Sequence, residues 1–436
     1  MLPLVLLGCG STAPEPDPAA ADRPNFLFIL TDQWRGDALG VDGNELVQTP
    51  NLDRFAGEGV RFANAYAPQA VCTPSRAALL TGVYPTTNRV TDNVYGFDSV
   101  FALPEFELRP NYPEIFRDAG YVTGYIGKWH LGEKDPGLFD YWAGFNSLLG
   151  HWMGEKYKSQ YRSEHETELA LAFLDEHKDE PFFLEISYYP PHTRYEAPGE
   201  FQKLYEGKPH LEPMEYYAAC TALDAYIQRL LDMLDEIGQA DNTMVVFTSD
   251  HGDDFGGRPL SSNKRVGYEE SARIPMIVRY PPLIQAGAVY EGGVTTLDLM
   301  PMMLEAAGLP IPERLEGKSR IGEIEAGDLG WKEPVFQQNR TQPGVDGGPH
   351  DERMVRFEEW KLIVRRFNRP RIPRMDELYN LEADPGEQTN LIDEPESAEM
   401  VGKLAGWLLD WGCEINDPVA IQLGKRYVPA GQELRR

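Results

Sequence analysis

Asn25-Phe-Leu-Phe-Ile-Leu-Thr-Asp-Gln33, NFLFILTDQ, is an apolar run that stops abruptly on Thr31, Asp32 and Gln33. The same shape recurs three times. YVTGYIG (121–127) runs into Lys128-Trp129-His130, PFFLEISYY (181–189) into Pro190-Pro191-His192, and TMVVFTS (243–249) into Asp250-His251-Gly252-Asp253. Apolar runs of this length lack the polar alternation of a half-exposed strand, which marks strands covered on both faces. Helical patterns lie between them. Ser163-x-x-Glu166 reads as a capping box opening a helix through about Lys178, and Ile227, Leu230, Leu231 and Leu234 form an apolar stripe closed by Gly238. Strands alternating with helices predict an α/β fold, a large mixed and mainly parallel sheet sandwiched by helices. In such sheets sites form outside the carboxyl ends of the strands, so the four polar clusters are expected to gather at one edge.

Residues 24–335 are expected to form this large domain and residues 336–436 a smaller α+β subdomain. In the latter, MVRFEEWKLIVRRF (354–367) alternates like antiparallel strands and AEMVGKLAGWLLDW (398–411) reads as an amphipathic helix. The first 23 residues read differently. A short apolar run leads to Leu6-Leu7-Gly8-Cys9 and then a Pro/Ala-rich tether, resembling a bacterial lipoprotein signal with a lipid on Cys9; an ordinary secretion signal is the alternative. The expected location is the periplasm, the outer membrane through that lipid, or the medium. No other stretch is apolar and long enough to cross a membrane.

Acidic residues outnumber basic ones, 69 to 41, for a formal charge of −28. That balance disfavours nucleic acid and anionic membranes as general partners, and an anionic substrate would need a local basic island. Cysteines beyond Cys9 are Cys72, Cys220 and Cys413, too few for a disulfide framework. Cys220 sits in a helical pattern as a small core residue; spacing leaves open whether Cys413 pairs with it.

Cys72 opens VCTPSRAALLTG (71–82). Thr73 suits an N-cap, Pro74 a first helical position and Gly82 a C-terminal stop. A thiol at a helix N-terminus, with Arg76 four residues on and able to turn back, would have a lowered pKa beside a site that gathers oxyanions. Asp32, Asp250 and His251, with Gln33, make an oxygen-rich donor set that suits Ca2+, or Mg2+ or Mn2+, better than a closed zinc site. Lys128, His130, His192 and Lys264 offer positive charge and proton transfer. The competing reading is that an Asp or His after a strand merely satisfies a loop, and that Lys264-Arg265 is a solvated charge. His151, His165, His177, His210 and His350 lack comparable placement and are taken as surface or structural.

Together these motifs resemble the type I sulfatase family of the alkaline phosphatase superfamily. The resemblance rests on Cys72-x-Pro74-x-Arg76 continuing to Thr81-Gly82, on NFLFILTDQWRGDALG, GYIGKWHLG, YYPPHTRY and VVFTSDHGD, on YEESARIPMIVRYP, and on the tail ELYNLEADPGEQTNL. It implies that a maturation enzyme oxidises Cys72 to formylglycine, whose hydrate attacks the sulfur of a sulfate ester. Asp32, Gln33, Asp250, His251 and residue 72 would then hold the metal, and Arg76 the gem-diol. His130 would assist deprotonation, Lys128 and Lys264 would bind sulfate, and His192 would protonate the leaving alcohol. Many relatives carry Asp where Gln33 stands, which puts the metal's identity in question. The implied substrate is a sulfate ester, foremost of a carbohydrate. Alternatives are a phosphonate monoester or phosphodiester hydrolase, and a non-catalytic lipoprotein that binds sulfated glycans. Specificity is expected in loops around residues 84–108, 140–165, 193–213 and 340–352.

Overall fold

The computed structural model describes residues 23–428 except 96–98, 104–105, 107, 148, 155–159, 208–212, 262, 341–349 and 368–374. The signal-like segment with Cys9, and His210, lie outside the described residues. All four apolar runs become strands: β1 (Asn25–Asp32), β3 (Val122–Lys128), β5 (Phe182–Pro191) and β6 (Thr243–Ser249). The remaining strands of the large sheet are β2 (Val60–Tyr66), β4 (Tyr141–Phe145), β7 (Arg273–Ile274), β8 (Met276–Arg279) and β9 (Ala288–Thr295). Their order is β4-β3-β5-β1-β6-β8-β2, with β7 and β9 also on β2. Pairings from β4 through β6 are parallel, β8 is antiparallel to β6 and β2, and β9 is parallel to β2. The sheet is thus mixed and mainly parallel.

β1 shows why these runs carry no polar alternation. Phe26, Phe28 and Leu30 enter one apolar layer with Phe116, Phe183 and Met300, while Leu27 and Ile29 enter the opposite layer with Ile186, Leu223 and Phe247. Both layers are covered by helices, so every residue of β1 is buried. Register then fixes what meets at the carboxyl edge: Asp32 pairs with Pro191, Thr31 with Ser249, and Gly127 with Ser187. Gly127 has a left-handed backbone (φ 102°), and a Cβ there would stand 2.1 Å from the Ser187 carbonyl oxygen. Only glycine lets β3 approach β5 so closely just before Lys128.

A four-stranded antiparallel sheet, β10 (Val335–Arg340), β11 (His350–Phe357), β12 (Trp360–Phe367) and β13 (Glu377–Asn380), follows in the chain. The alternating stretch is a hairpin pairing Met354 with Ile363 and Val355 with Leu362. The expected amphipathic helix spans Ala398–Glu414; its Leu404, Leu408 and Trp411 share an apolar cluster with Val355, Leu362 and Leu378.

The Met214–Glu236 helix ends as expected, Gly238 taking a left-handed backbone (φ 71°) just beyond it. The expected capping box is not there. The helix at this position runs Arg162–Glu176 with Tyr161 at its N-cap and no side-chain cap. Ser163 and Glu166 are both buried, and the Ser163 hydroxyl and both Glu166 carboxylate oxygens lack hydrogen-bond partners among the described residues. Here the apolar layer on the sheet takes the face that the box would have needed. Burial pushes the Glu166 carboxyl up to about 8, with Arg162 opposing only in part. In the folded chain it therefore stays protonated while the unfolded chain ionises from about pH 4.5, so stability present at acid pH is lost as pH rises toward 8. Glu166→Gln is expected to remove a fall on the order of a few kcal/mol across that window, read from denaturation midpoints against pH. A wild-type profile as flat as that of the variant would contradict a buried protonated carboxyl.

Candidate active site

The carboxyl edge brings the four clusters together. Asp32 and Lys128 are the last residues of β1 and β3, while His192 directly follows β5 and Asp250 directly follows β6. Gly252 keeps the Asp250–Asp253 loop against its neighbour, since a Cβ would lie 2.1 Å from the Glu270 carbonyl oxygen. Non-glycine residues with left-handed backbone gather around this edge, among them Gln33 (φ 71°), His130 (56°), Asn263 (73°) and Arg265 (75°). Strained conformations of this kind persist only where surrounding contacts over-determine them, and they cluster at functional sites.

Cys72 begins the Cys72–Thr81 helix, which Gly82 closes in left-handed conformation (φ 68°). The N-cap is Val71, not Thr73 as expected. Thr73 lies inside the first turn and bridges two loops instead. Its hydroxyl donates to the His130 carbonyl (2.9 Å) and accepts from the Val94 N–H (3.3 Å). Asn93 Oδ1 accepts the Thr73 N–H at 2.9 Å. Pro74 is still in the first turn, where its missing N–H leaves no helical bond unmade.

Around Cys72 Sγ stand His251 Nε2 at 3.2 Å, Lys264 Nζ at 3.4 Å, Lys128 Nζ at 3.6 Å and Asp32 Oδ1 at 3.8 Å. Burial raises the thiol pKa, but Lys128, Lys264 and His251 outweigh it, so the group sits well below its ordinary value. Lys264 is therefore no solvated loop charge: its ammonium also reaches Gln33 Oε1 (2.9 Å) and His192 Nε2 (3.2 Å).

Arg76 turns to the carboxylates rather than to Sγ. Nε donates to Asp250 Oδ2 (2.8 Å), Nη2 to Asp32 Oδ2 (3.0 Å), and Nη1 to the Lys128 carbonyl (2.7 Å) and Ser187 Oγ (2.8 Å). Lys128 pairs with the same Asp32 oxygen and lies over the Tyr189 ring at 4.6 Å. Burial and Cys72 push the Asp32 carboxyl up, yet Lys128, His192 and Arg76 prevail and keep it ionised. Asp250 is pushed up to about 6 by burial and by the charge of Asp32.

One donor atom from each of Asp32, Cys72, Asp250 and His251 falls within 4.8 Å of the others, all buried. Two carboxylates forced together in a dry site, an imidazole, and the Gln33 amide oxygen beside them fit a divalent cation. Gln33 is itself oriented, its amide nitrogen donating to Asp253 and to Thr193 Oγ1 (3.1 Å), which leaves the oxygen toward the centre.

His130 and His192 flank residue 72. His130 Nε2 bonds the Val94 carbonyl (3.2 Å), which leaves Nδ1 for Cys72, with which the ring interacts. Burial, reinforced by Lys128, pushes His130 down to about 4, so the ring is neutral near pH 7. His192 Nδ1 donates to the Thr193 carbonyl (2.5 Å) in the tautomer that leaves Nε2 to accept from Lys264.

All the candidate residues thus converge. A supporting ring was missed in the sequence: Asp253 with Tyr195 (2.7 Å) behind Gln33, Ser187 behind Arg76, and buried His151, whose Nε2 bonds the His192 carbonyl (3.0 Å). Asp253 alone had a sequence signal, standing in the SDHGD run. Cys220 is buried, Cys413 is exposed, and both are free.

The sulfatase family model matches residues 24–309. The chain belongs to the sulfatase family. A second model, the C-terminal region of N-sulphoglucosamine sulphohydrolase, matches residues 261–411. This sulfatase is 32% identical to an ulvan-active sulfatase of Formosa agariphila over 91% of the chain and 82% of that relative. It is 27% identical to an N-acetylglucosamine-6-O-sulfatase of Bacteroides thetaiotaomicron, over 92% and 88%. A crystal structure of a putative sulfatase from Bacteroides fragilis superposes with a TM-score of 0.79 at 28% identity, covering 95% of this chain and all of that one. The sulfatase has the alkaline-phosphatase-like architecture of its structural neighbours and is a sulfuric ester hydrolase.

Proposed function

We propose that this sulfatase removes sulfate from carbohydrates, using an aldehyde, formylglycine, formed from Cys72. The observation that carries the reading is residue 72 itself, buried at a helix N-terminus between two ammonium groups, with the neutral His130 beside it. The names of the two curated relatives, both carbohydrate sulfatases, support the substrate class. The roles of Asp32, Gln33, Asp250 and His251 follow from their donor chemistry: they would hold a divalent cation, for which Ca2+ is the choice that best suits so many oxygens. Bound there, the cation would stabilise charge on oxygen next to residue 72.

The protein's own groups account for the remaining steps. Lys128 and Lys264 bind the sulfate oxygens from two sides and spread their charge as the ester bond to sulfur breaks. One hydroxyl of the hydrated aldehyde gives its proton to the Asp250 carboxylate and bonds to sulfur as the bond from sulfur to the ester oxygen breaks. The leaving alcohol takes its proton from Lys264 by way of His192: the ammonium protonates Nε2 across the 3.2 Å contact, Nε2 hands that proton to the departing oxygen, and Lys264 recovers one from solvent. His130 Nδ1 then accepts the proton of the second hydroxyl, the bond to sulfate breaks, and the aldehyde returns. Arg76 acts at one remove, holding Asp32 and Asp250 in place.

The test is sulfate release from sulfated oligosaccharides, aryl sulfates and phosphodiesters under matched conditions. Oligosaccharide sulfates are expected to show the highest kcat/KM. Cleavage of aryl sulfates with no release from any carbohydrate would overturn the substrate class, and phosphodiester turnover far above all sulfate esters would overturn the reaction.

A further inference from the structure

A cleft of about 410 Å³ lies where β10 and β11 meet the segment just upstream of Cys72. Four arginines line it, Arg89, Arg340, Arg353 and Arg366, against two acids, Asp351 and Asp417. Both acids are already paired: Arg353 Nη2 with Asp417 Oδ1 at 3.1 Å, and Arg366 Nη2 with Asp351 Oδ2 at 2.6 Å. Arg89 and Arg340 are exposed and have no ion-pair partner among the described residues. In a chain with 69 acidic and 41 basic residues, two unpaired guanidinium groups in one cleft make a local positive field on a negative surface.

The cleft is built from the same pieces of chain as the sulfate centre. Gln69, on its wall, is three residues from Cys72, a backbone reach of at most about 11 Å. Gln69 Nε2 donates to the carbonyl of Thr91, another wall residue (3.0 Å), and Asn93, two residues on, receives the Thr73 N–H. Arg265, next to Lys264, donates to the Arg340 carbonyl (3.2 Å) and to Asp92 (2.8 Å).

We propose that this cleft is a second anion subsite, in which Arg89 and Arg340 bind a sulfate or carboxylate on a sugar adjoining the one that loses its sulfate. The proposal rests on the carbohydrate reading above and narrows it to multiply anionic glycans. Guanidinium forks match the paired oxygens of both groups, and the surrounding negative surface repels any polyanion that does not engage them.

Binding to full-length Cys72→Ala protein, which cannot turn over substrate, tests this by calorimetry. The probes are a tetrasaccharide sulfated on every sugar, the same tetrasaccharide with one terminal sulfate, and inorganic sulfate. The fully sulfated probe is expected to bind tightest. Added to that background, Arg89→Gln and Arg340→Gln are each expected to weaken it roughly tenfold and to flatten its salt dependence. Arg89→Lys should recover part of the loss. Unchanged unfolding midpoints confirm that the exposed replacements leave the fold intact. An unchanged gap between the two tetrasaccharides in both variants would overturn the subsite, as would losses equally large for inorganic sulfate. The carbohydrate reading fails separately, if neither tetrasaccharide binds while the wild-type protein cleaves an aryl sulfate.

Discussion

Cys72→Ala is expected to lower kcat/KM for sulfate-ester hydrolysis by ~10⁴-fold or more while changing stability by about 1 kcal/mol or less. The side chain is small and buried, so its removal disturbs little packing, whereas the proposed reaction passes through residue 72. The same mutation separates binding from turnover, because Lys128, Lys264 and His192 remain. A stricter version keeps the cysteine. The thiol is held well below its ordinary pKa and would be a competent nucleophile. A sulfuryl group on sulfur, however, has no neighbouring hydroxyl to expel it. Protein made without the maturation enzyme should therefore fold, bind and fail to turn over. Full activity in a chain whose residue 72 is shown by mass spectrometry to be unmodified cysteine would falsify the aldehyde mechanism.

Arg76→Ala is expected to cost about 3–5 kcal/mol of stability together with a ~10³-fold or greater loss in kcat/KM. The guanidinium is 3% exposed and bonds Asp32, Asp250, the Lys128 carbonyl and Ser187 at once. Removing it leaves two buried carboxylates close together, with the Lys128 ammonium paired to Asp32 alone. Arg76→Lys should rescue little, since a single ammonium cannot serve acceptors spread around a planar fork. Denaturation and kinetics on the same preparations decide the role. A gem-diol holder, as the family resemblance implied, would lose activity at unchanged stability; the clamp seen here must lose both.

The contrast shows what could be read from residues alone. β1, β3, β5 and β6 were legible because a doubly covered strand stays predominantly apolar up to its carboxyl end, so Asp32, Lys128, His192 and Asp250 announced the edge. Lys264 was harder, standing in a loop with no periodicity, and only the fold brings it to residue 72. Arg76 was found but misdirected: helical spacing allowed it to face Cys72, whereas its acceptors are 44, 52, 111 and 174 residues away in sequence. The Ser163–Glu166 box and the Thr73 cap failed for a related reason. Local capping chemistry was satisfied on paper, but tertiary contacts claimed both side chains.

The burial of Cys72 has a consequence for timing. Its side chain is 1% exposed, at the head of a helix whose ten residues are all buried. No second protein can reach that sulfur once the helix has docked on the sheet. Under the proposed function, conversion of residue 72 would therefore come early in the life of the chain, before this helix docks. On that reading a chain that folds first would be stable yet idle, and the working fraction would be set by a race between oxidation and folding.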